Sequence, residues 1–465
     1  MTFGPFPSVN TNAIQQDFLE RAFQESLQPV LAYRHTAKQE DFPARIGESL
    51  TKTRPALMVP NTTPLDPTTN TNIDNGLTPT VYGTEQYTLS VLQYAQTSYP
   101  VNLMDDERTI ASFYIRNAKN LGVAQGTAID SLAQRTLFNA YMGGQTFVTR
   151  TLGAPSITVE VDDIRGFQFK MVNGVFQPVS PANTLDVVIN GIPFVVIGAA
   201  SDVVNVSSAA ITGGISGILT FNAPVPVIDG TAGNYIHAAN SSVIIRPNGR
   251  LSTRGLVTTD LFTLDVLLEA VTTLRNNNVH TFEDTGRYHC IVDPTTMGQI
   301  FRDPAFQLLY RGQGLENTPY KTAYVSQALD VMFFQTTQAY VQAPAGTLPP
   351  AVTVHRPIVC GQDCLVESVF TTGLNAVREN ARVGKYEEDT GFVNDPAWGI
   401  MSERSASGGS YMYVRPPIDS LGQIVTQTAS YIGGFTAPTD SLTTPAVIGT
   451  ATNSDYKRAV IIETA

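Results

Sequence analysis

Two groups of residues are of types that could do chemistry. His289 and Cys290 are adjacent, and His355, Cys360 and Cys364 lie close together further along. A thiolate nucleophile needs a base within hydrogen-bond reach. "YHCIVDP" has the apolar run of a buried strand, in which neighbouring side chains point to opposite faces, so His289 is not expected to serve Cys290. His355 with Cys360 and Cys364 is one ligand short of a closed four-coordinate zinc site. The thiols read better as small buried hydrophobes. Two carboxylate pairs, Asp162-Asp163 and Glu387-Glu388, read as solvated turns rather than acid–base dyads. Trp398, the one tryptophan, reads as a core anchor. The chain has no GxxxxGK[ST], HExxH, strand-led GxGxxG or G-x-S-x-G pattern. The expectation is therefore no catalytic residue, no cofactor-binding residue and no metal ligand: a protein that works by shape and contact.

Composition agrees with that direction. A chain of 465 residues exceeds what one core can serve, and two to four domains are expected. Charged residues make up 15%, against roughly 25% in an average soluble domain, and Thr, Asn, Ser and Gln take their place. Charge is depleted where surface is buried against other copies; a Thr-rich β protein with an ordinary surface has the same composition. The net charge of −11 and a pI near 5.0 argue against binding nucleic acid by phosphate neutralisation, although an acidic protein can enclose nucleic acid without gripping it. Three cysteines give no disulfide framework, which points to folding in a reducing cytoplasm. "MTFGPFPSVNTN" lacks the basic start and apolar run of a signal peptide, and no run of apolar residues is long enough to span a membrane.

The elements that would position these residues can be read from periodicity. Residues 12–28 carry Ile14, Phe18 and Ala22 on one helical stripe, with Leu19, Phe23 and Leu27 beside it. From 53 to 101 the chain reads as an out-and-back hairpin. Its distal stretch, "NTTPLDPTTNTNIDNGLTP" at 61–79, has no Lys or Arg and no periodicity. A structureless stretch of this length usually means function or disorder. Next comes the strongest helical signal. Asp105, Asp106 and Glu107 suit a helix N-terminus. Ile110, Phe113, Tyr114, Ala118 and Leu121 form a face resumed by Ile129, Leu132, Ala133, Leu137 and Tyr141. Gly143-Gly144 supplies the stop, with Gly122 and Gly126 as places for a kink or break. Residues 150–250 turn Val-, Ile- and Gly-rich, with Asn173-Gly174 and Asn190-Gly191 each between apolar runs, the hairpin signal. They read as an all-β insertion large enough to fold alone. A helix ("DLFTLDVLLEAVTTLRNN") and a mixed α/β region follow to about 385. Strands near "SYMYVRPPI" and "GQIVTQTASYI", a Thr/Pro-rich linker and a last strand in "KRAVIIETA" close the chain.

This order of parts resembles the major capsid proteins of tailed bacteriophages, the Hong Kong-type coat fold shared with herpesvirus shells. "YHCIVDPTTMGQIFRDPAF" is similar to that family's strand–Pro–helix passage. "DPAWGIMSERSASGGSYMYVRPPIDSLGQIVTQTAS" is similar to C-terminal segments of a podophage-like subfamily. The resemblance implies an α+β fold with an N-terminal arm and short helix at 1–52, an extended E-loop hairpin at 53–101 and a P-domain spine helix at 102–149. An inserted β domain at 150–250 departs from the minimal fold. An A-domain at 251–385 and C-terminal P-domain strands and tail at 386–465 complete it. It implies a structural subunit, assembled in the host bacterial cytoplasm, that forms hexamers and pentamers of an icosahedral virion shell. Its partners would be other copies of itself, scaffolding and portal proteins and a decoration or cement protein, and the shell would enclose double-stranded DNA without specific binding and without a membrane. Some members weld their shells through a loop lysine; Lys52 lies only at the hairpin base, so that chemistry is not expected here. An encapsulin-like shell protein and a β-rich receptor- or glycan-binding surface protein are the alternative readings.

Overall fold

Apolar side chains at three- and four-residue spacing from Ala118 to Tyr141 produce one helix, α1 (Phe113–Met142). It runs through Gly122 and Gly126 without a break, and its 30 residues span roughly 45 Å at 1.5 Å per residue. Ala118, Leu121, Ile129, Ala133, Leu137 and Tyr141 are all buried, as the periodicity predicts. The computed structural model describes residues 32–43, 47, 49–55, 84–102, 113–172, 175–201, 214–238, 241, 243–310, 327–343, 352–370, 399–402, 410–414, 421, 423–438, 449–450 and 457–465. The helix expected at 12–28, the stretch 61–79, Asp105 to Glu107, Asn173-Gly174, Glu387-Glu388 and Trp398 lie outside the described residues. The architecture is mixed α+β, with few helices and many strands. Among the described residues no helix is long and apolar enough to cross a membrane.

One face of α1 is covered by two sheets. The first has strands in the order Ala37–Asp41, Leu365–Val369, Gln427–Thr436, Ser410–Val414 and Gly399–Ser402, with Leu92–Thr97 also paired to Gln427–Thr436. It gives Leu365, Met412, Ala429, Tyr431 and Phe435 to the core that α1 enters. The third sheet runs Ile244–Ile245, Ala459–Ile462, Ile358–Cys360, Tyr288–Val292, Val331–Gln335 and Gln327–Ala328. Ile291, Ile358, Cys360, Ala459 and Ile461 point from it into the same core. Its other face holds a separate core with α2 (Leu264–Asn276), α3 (Pro294–Arg302) and α4 (Pro304–Tyr310). The "DP…D" pattern explains the last two starts. Asp293 accepts from Thr295 N and Thr296 N before Pro294–Arg302, and Asp303 accepts from Ala305 N before Pro304–Tyr310. The strand Ala459–Ile462, grouped by sequence with the C-terminal strands of the first sheet, instead lies inside the third. All four of its residues are buried, and a strand apolar on both faces needs cover on both.

Between α1 and the third sheet the chain makes a barrel, which is the second sheet. Strands Gln145–Phe147, Tyr235–Ala238, Leu185–Ile189, Ile192–Ala200, Gly217–Val225 and Ser156–Val161 pair antiparallel in that order. An antiparallel bridge between Val148 and Val161 joins the two ends, with Thr149 N donating to Glu160 O at 3.0 Å and Asp162 N to Phe147 O at 3.2 Å. These contacts close the sheet at one end of the seam and shorten its exposed edges. Alternation fills the interior: Leu185, Val187 and Ile189 are buried while Asp186 is exposed. The barrel starts and stops earlier than the compositional shift at 150–250 suggests, because the first strand follows α1 directly. Chain crossing is tight there: a Cβ on Gly166 would sit 2.0 Å from Gly144 N. Asn190 (φ 50°) and Gly191 (φ 83°) form the two-residue turn between strands ending at Ile189 and starting at Ile192, the left-handed pair that such a hairpin requires.

The barrel core shares no residue with the other two cores, so residues 144–241 expressed alone are expected to fold, giving a dispersed amide NMR spectrum. Gly191→Ala in that fragment should cost roughly 1 kcal/mol in urea unfolding, since open space surrounds the position and only the backbone conformation resists a Cβ.

Candidate functional site

None of the sequence-nominated groups forms a reactive cluster among the described residues. Cys290 points into the core under α2, and burial pushes its thiol well above the ordinary range. His289, on the opposite face of that strand, stacks on Phe282 with ring centroids 3.9 Å apart and meets Thr285 Oγ1 at 3.0 Å through Nε2. Burial holds its pKa down to about 4. His355 is drawn away from the nearby thiols: its Nδ1 lies 3.0 Å from Asp293 Oδ2, whereas Cys364 Sγ donates to Thr36 O. Cys360 is wholly buried and its thiol is also pushed up by burial. The reading of Asp162-Asp163 as a solvated turn is corrected. Both are buried, and Asp163 accepts from Arg165 Nε at 2.8 Å and from Ile215 N at 3.2 Å. Arg165 NH1 reaches Asn139 Oδ1 of α1, so the pair helps fasten barrel to helix.

Charged residues that looked ordinary in the sequence make two further buried knots. Arg34 Nε and NH2 meet Glu367 at 2.9 and 2.8 Å, and Tyr431 OH donates to Glu367 Oε1 at 2.8 Å. Arg246 Nε donates to Glu463 Oε2 at 2.7 Å, and Arg356 Nε to Glu463 Oε1 at 2.9 Å. Beside the first knot, Asp130 of α1 accepts from Ala32 N, Tyr33 N and Arg34 N at 3.0, 2.7 and 3.2 Å. The available signal was a charge inside an apolar run: "LVESV", "VIIETA", "VHRPIV". Such charges are almost never fully buried unless paired.

A two-stranded hairpin stands apart from the three large sheets. Ser49–Pro55 and Thr84–Ser90 pair antiparallel from Ser49↔Ser90 to Pro55↔Thr84, about 24 Å at 3.4 Å per residue. Its root is held firmly. Leu89 packs with Phe42 and Val366, Ser368 Oγ donates to Ser90 O at 2.7 Å and Thr436 Oγ1 to Thr88 O at 2.9 Å. Lys52 pairs with Glu40 beside the root. Val91 interrupts the long return strand read from the sequence, and Leu92–Thr97 turns onto the first sheet instead. Beyond the root, the two hairpin strands pair only with each other among the described residues.

No family model matches the chain, and no curated protein does. Solved structures do. A chain of the capsid of cyanophage P-SCSP1u is 10% identical, with a TM-score of 0.45 over 94% of this chain and 88% of that one. The capsid of Ralstonia phage GP4 gives 11%, 0.47, 93% and 88%; the capsid asymmetric unit of cyanophage Pam1 gives 10%, 0.45, 95% and 92%. All three are phage capsid structures.

Acid should act through the buried carboxylates. Burial pushes both Asp293 and Glu463 up, but His355 and Thr296 around the first and the two guanidiniums on the second outweigh it, leaving each near pH 2. A depressed folded value means that their stabilisation is complete above the ordinary values of 3.8 and 4.5 and disappears as pH falls through about 2. Asp130 has the opposite sign: burial lifts it to about 6, so its contribution is present below 3.8 and is lost as pH rises through about 6. Urea midpoints followed from neutral pH into strong acid should fall less steeply below the carboxylate range in Asp293→Asn than in the parent.

Proposed function

We propose that this chain is a major capsid protein, a structural subunit that assembles as hexamers and pentamers into an icosahedral head shell enclosing phage double-stranded DNA. The observation that carries the reading is the hairpin. A two-stranded ribbon is at best marginally stable by itself, and this one is rooted by buried contacts yet, among the described residues, makes no strand pairing beyond its root except with itself. Such a ribbon is supported when it lies on a second copy. The hairpin then corresponds to the E-loop, α1 to the spine of the P-domain, the third sheet with α2, α3 and α4 to the A-domain, and the barrel to an inserted domain. Heterologous contacts that close into rings supply the capsomers.

Catalysis has no part in this reading; the buried histidines and thiols have structural partners. The subunit would assemble in the host cytoplasm with scaffolding and portal proteins, with a decoration or cement protein on the finished virion. Its net charge of −11 suits a wall that contains DNA without adhering to it. An encapsulin-like shell would use the same contacts around a protein cargo.

Electron microscopy of the overexpressed protein, with scaffold co-expressed, is expected to show shells or rings; a monodisperse monomer by light scattering would overturn the proposal. Replacing residues 61–79 by a short Gly-Ser turn should separate folding from assembly. The root contacts at Leu50, Thr88, Leu89 and Ser90 stay, so circular dichroism and the unfolding midpoint should match the parent. Shells should be lost or fragile, because a contact repeated in every copy is missing. Unfolding of the variant would place the hairpin in its own subunit's core instead.

A further inference from the structure

We infer that Glu463 is a clamp that sets the orientation of the barrel on the third sheet. The carboxylate sits where the chain leaves the barrel and enters the sheet. Its backbone N–H donates to Ile245 O at 2.9 Å. One oxygen takes Arg246 Nε and Thr253 Oγ1, both at 2.7 Å, and the other takes Arg356 Nε at 2.9 Å. Arg246 carries the connection onward. Its guanidinium lies 5.2 Å from the centre of the Tyr235 ring, and the Tyr235 hydroxyl donates to Gln145 Oε1 on the adjacent barrel strand. NH1 of Arg246 donates to Leu251 O at 2.9 Å, fixing the loop from which Ser252 Oγ reaches Gly233 O of the barrel at 3.1 Å.

Among the described residues apolar packing does not duplicate this link, because the buried apolar side chains of the barrel and those of the third sheet with α2 form separate clusters. Removing the charge of Glu463 leaves two buried guanidiniums without a counter-ion, a situation that strongly favours turning at least one towards water. Arg356 is wholly enclosed and stacks over Tyr340 at 5.0 Å. Arg246 is next to the junction, so it is the one that moves, and it gives up Tyr235 and Leu251 O as it does. The barrel then keeps its fastening at the other end, Asp163–Arg165–Asn139 on α1, and at this junction the hydrogen bonds of Ser252 Oγ to Gly233 O and of Lys457 Nζ to Ser241 O.

Hydrogen exchange by mass spectrometry on the full chain tests the clamp. In Glu463→Gln, amides of 231–235 and 243–257 should exchange at least tenfold faster, while the barrel strands 185–189 and 219–225 keep the parent's protection. Tyr235→Leu leaves the carboxylate and both arginines in place. It should loosen 231–235 in the same way while 358–361 stays protected. Unchanged exchange at 231–235 in either variant overturns the proposal. So does a uniform rise throughout the barrel interior, which would make Glu463 a general stabiliser. Should Glu463→Gln fail to fold, the Tyr235→Leu result decides alone.

Discussion

Burial of one helix face by two sheets at once is the constraint from which the rest of the subunit follows. Residues from Ala118 to Met142 of α1 enter a single cluster with side chains of both the first and the third sheet. Each sheet covers only part of the helix, and the helix covers only part of each sheet, so none of the three is closed without the others. At about 25 cal/mol for each Å² of apolar surface removed from water, this shared interface outweighs any single polar contact in the molecule. It also fixes where the hairpin emerges, because Leu89 at the hairpin root packs on Val366 of the first sheet, which α1 orients.

Polar order is laid over that apolar frame. Arg34–Glu367–Tyr431, Asp163–Arg165–Asn139 and Arg246–Glu463–Arg356 all lie where two elements meet. Replacing such buried groups by well-packed hydrophobes is often neutral or stabilising, whereas removing one partner is costly. Their positions at junctions fit a role in specifying how units meet. The Asp130 carboxylate, in the middle of α1, does the same for the segment before the first strand, accepting from the three successive backbone N–H groups of Ala32, Tyr33 and Arg34.

What could be read from the sequence was what local periodicity encodes. Apolar spacing gave α1 and α2, Asn190-Gly191 gave a hairpin turn, and the strand–Pro–helix passage around Pro294 was legible through its resemblance. The alternation of His289 and Cys290 correctly placed them on opposite faces of a strand. Long-range pairing was not encoded in that way. Nothing local in "AVII" says that it joins strands near 245 and 359, and closure of the barrel depends on one bridge between Val148 and Val161. The buried state of Asp163 was missed because its partners Arg165 and Ile215, and the Asn139 that holds Arg165, are assembled by the fold and only Arg165 is near it in sequence.

The position of Ala459–Ile462 inside the third sheet has a consequence in time. The barrel has all of its strands once Ala238 has been made, but the sheet next to it waits for Ile462, and the first sheet for Thr436. At elongation rates of about 5–20 residues per second, that interval is on the order of ten seconds or more. During it, α1 leaves the ribosome with its apolar stripe uncovered beside a finished barrel. Slowing translation past residue 238 would lengthen that exposure in direct proportion.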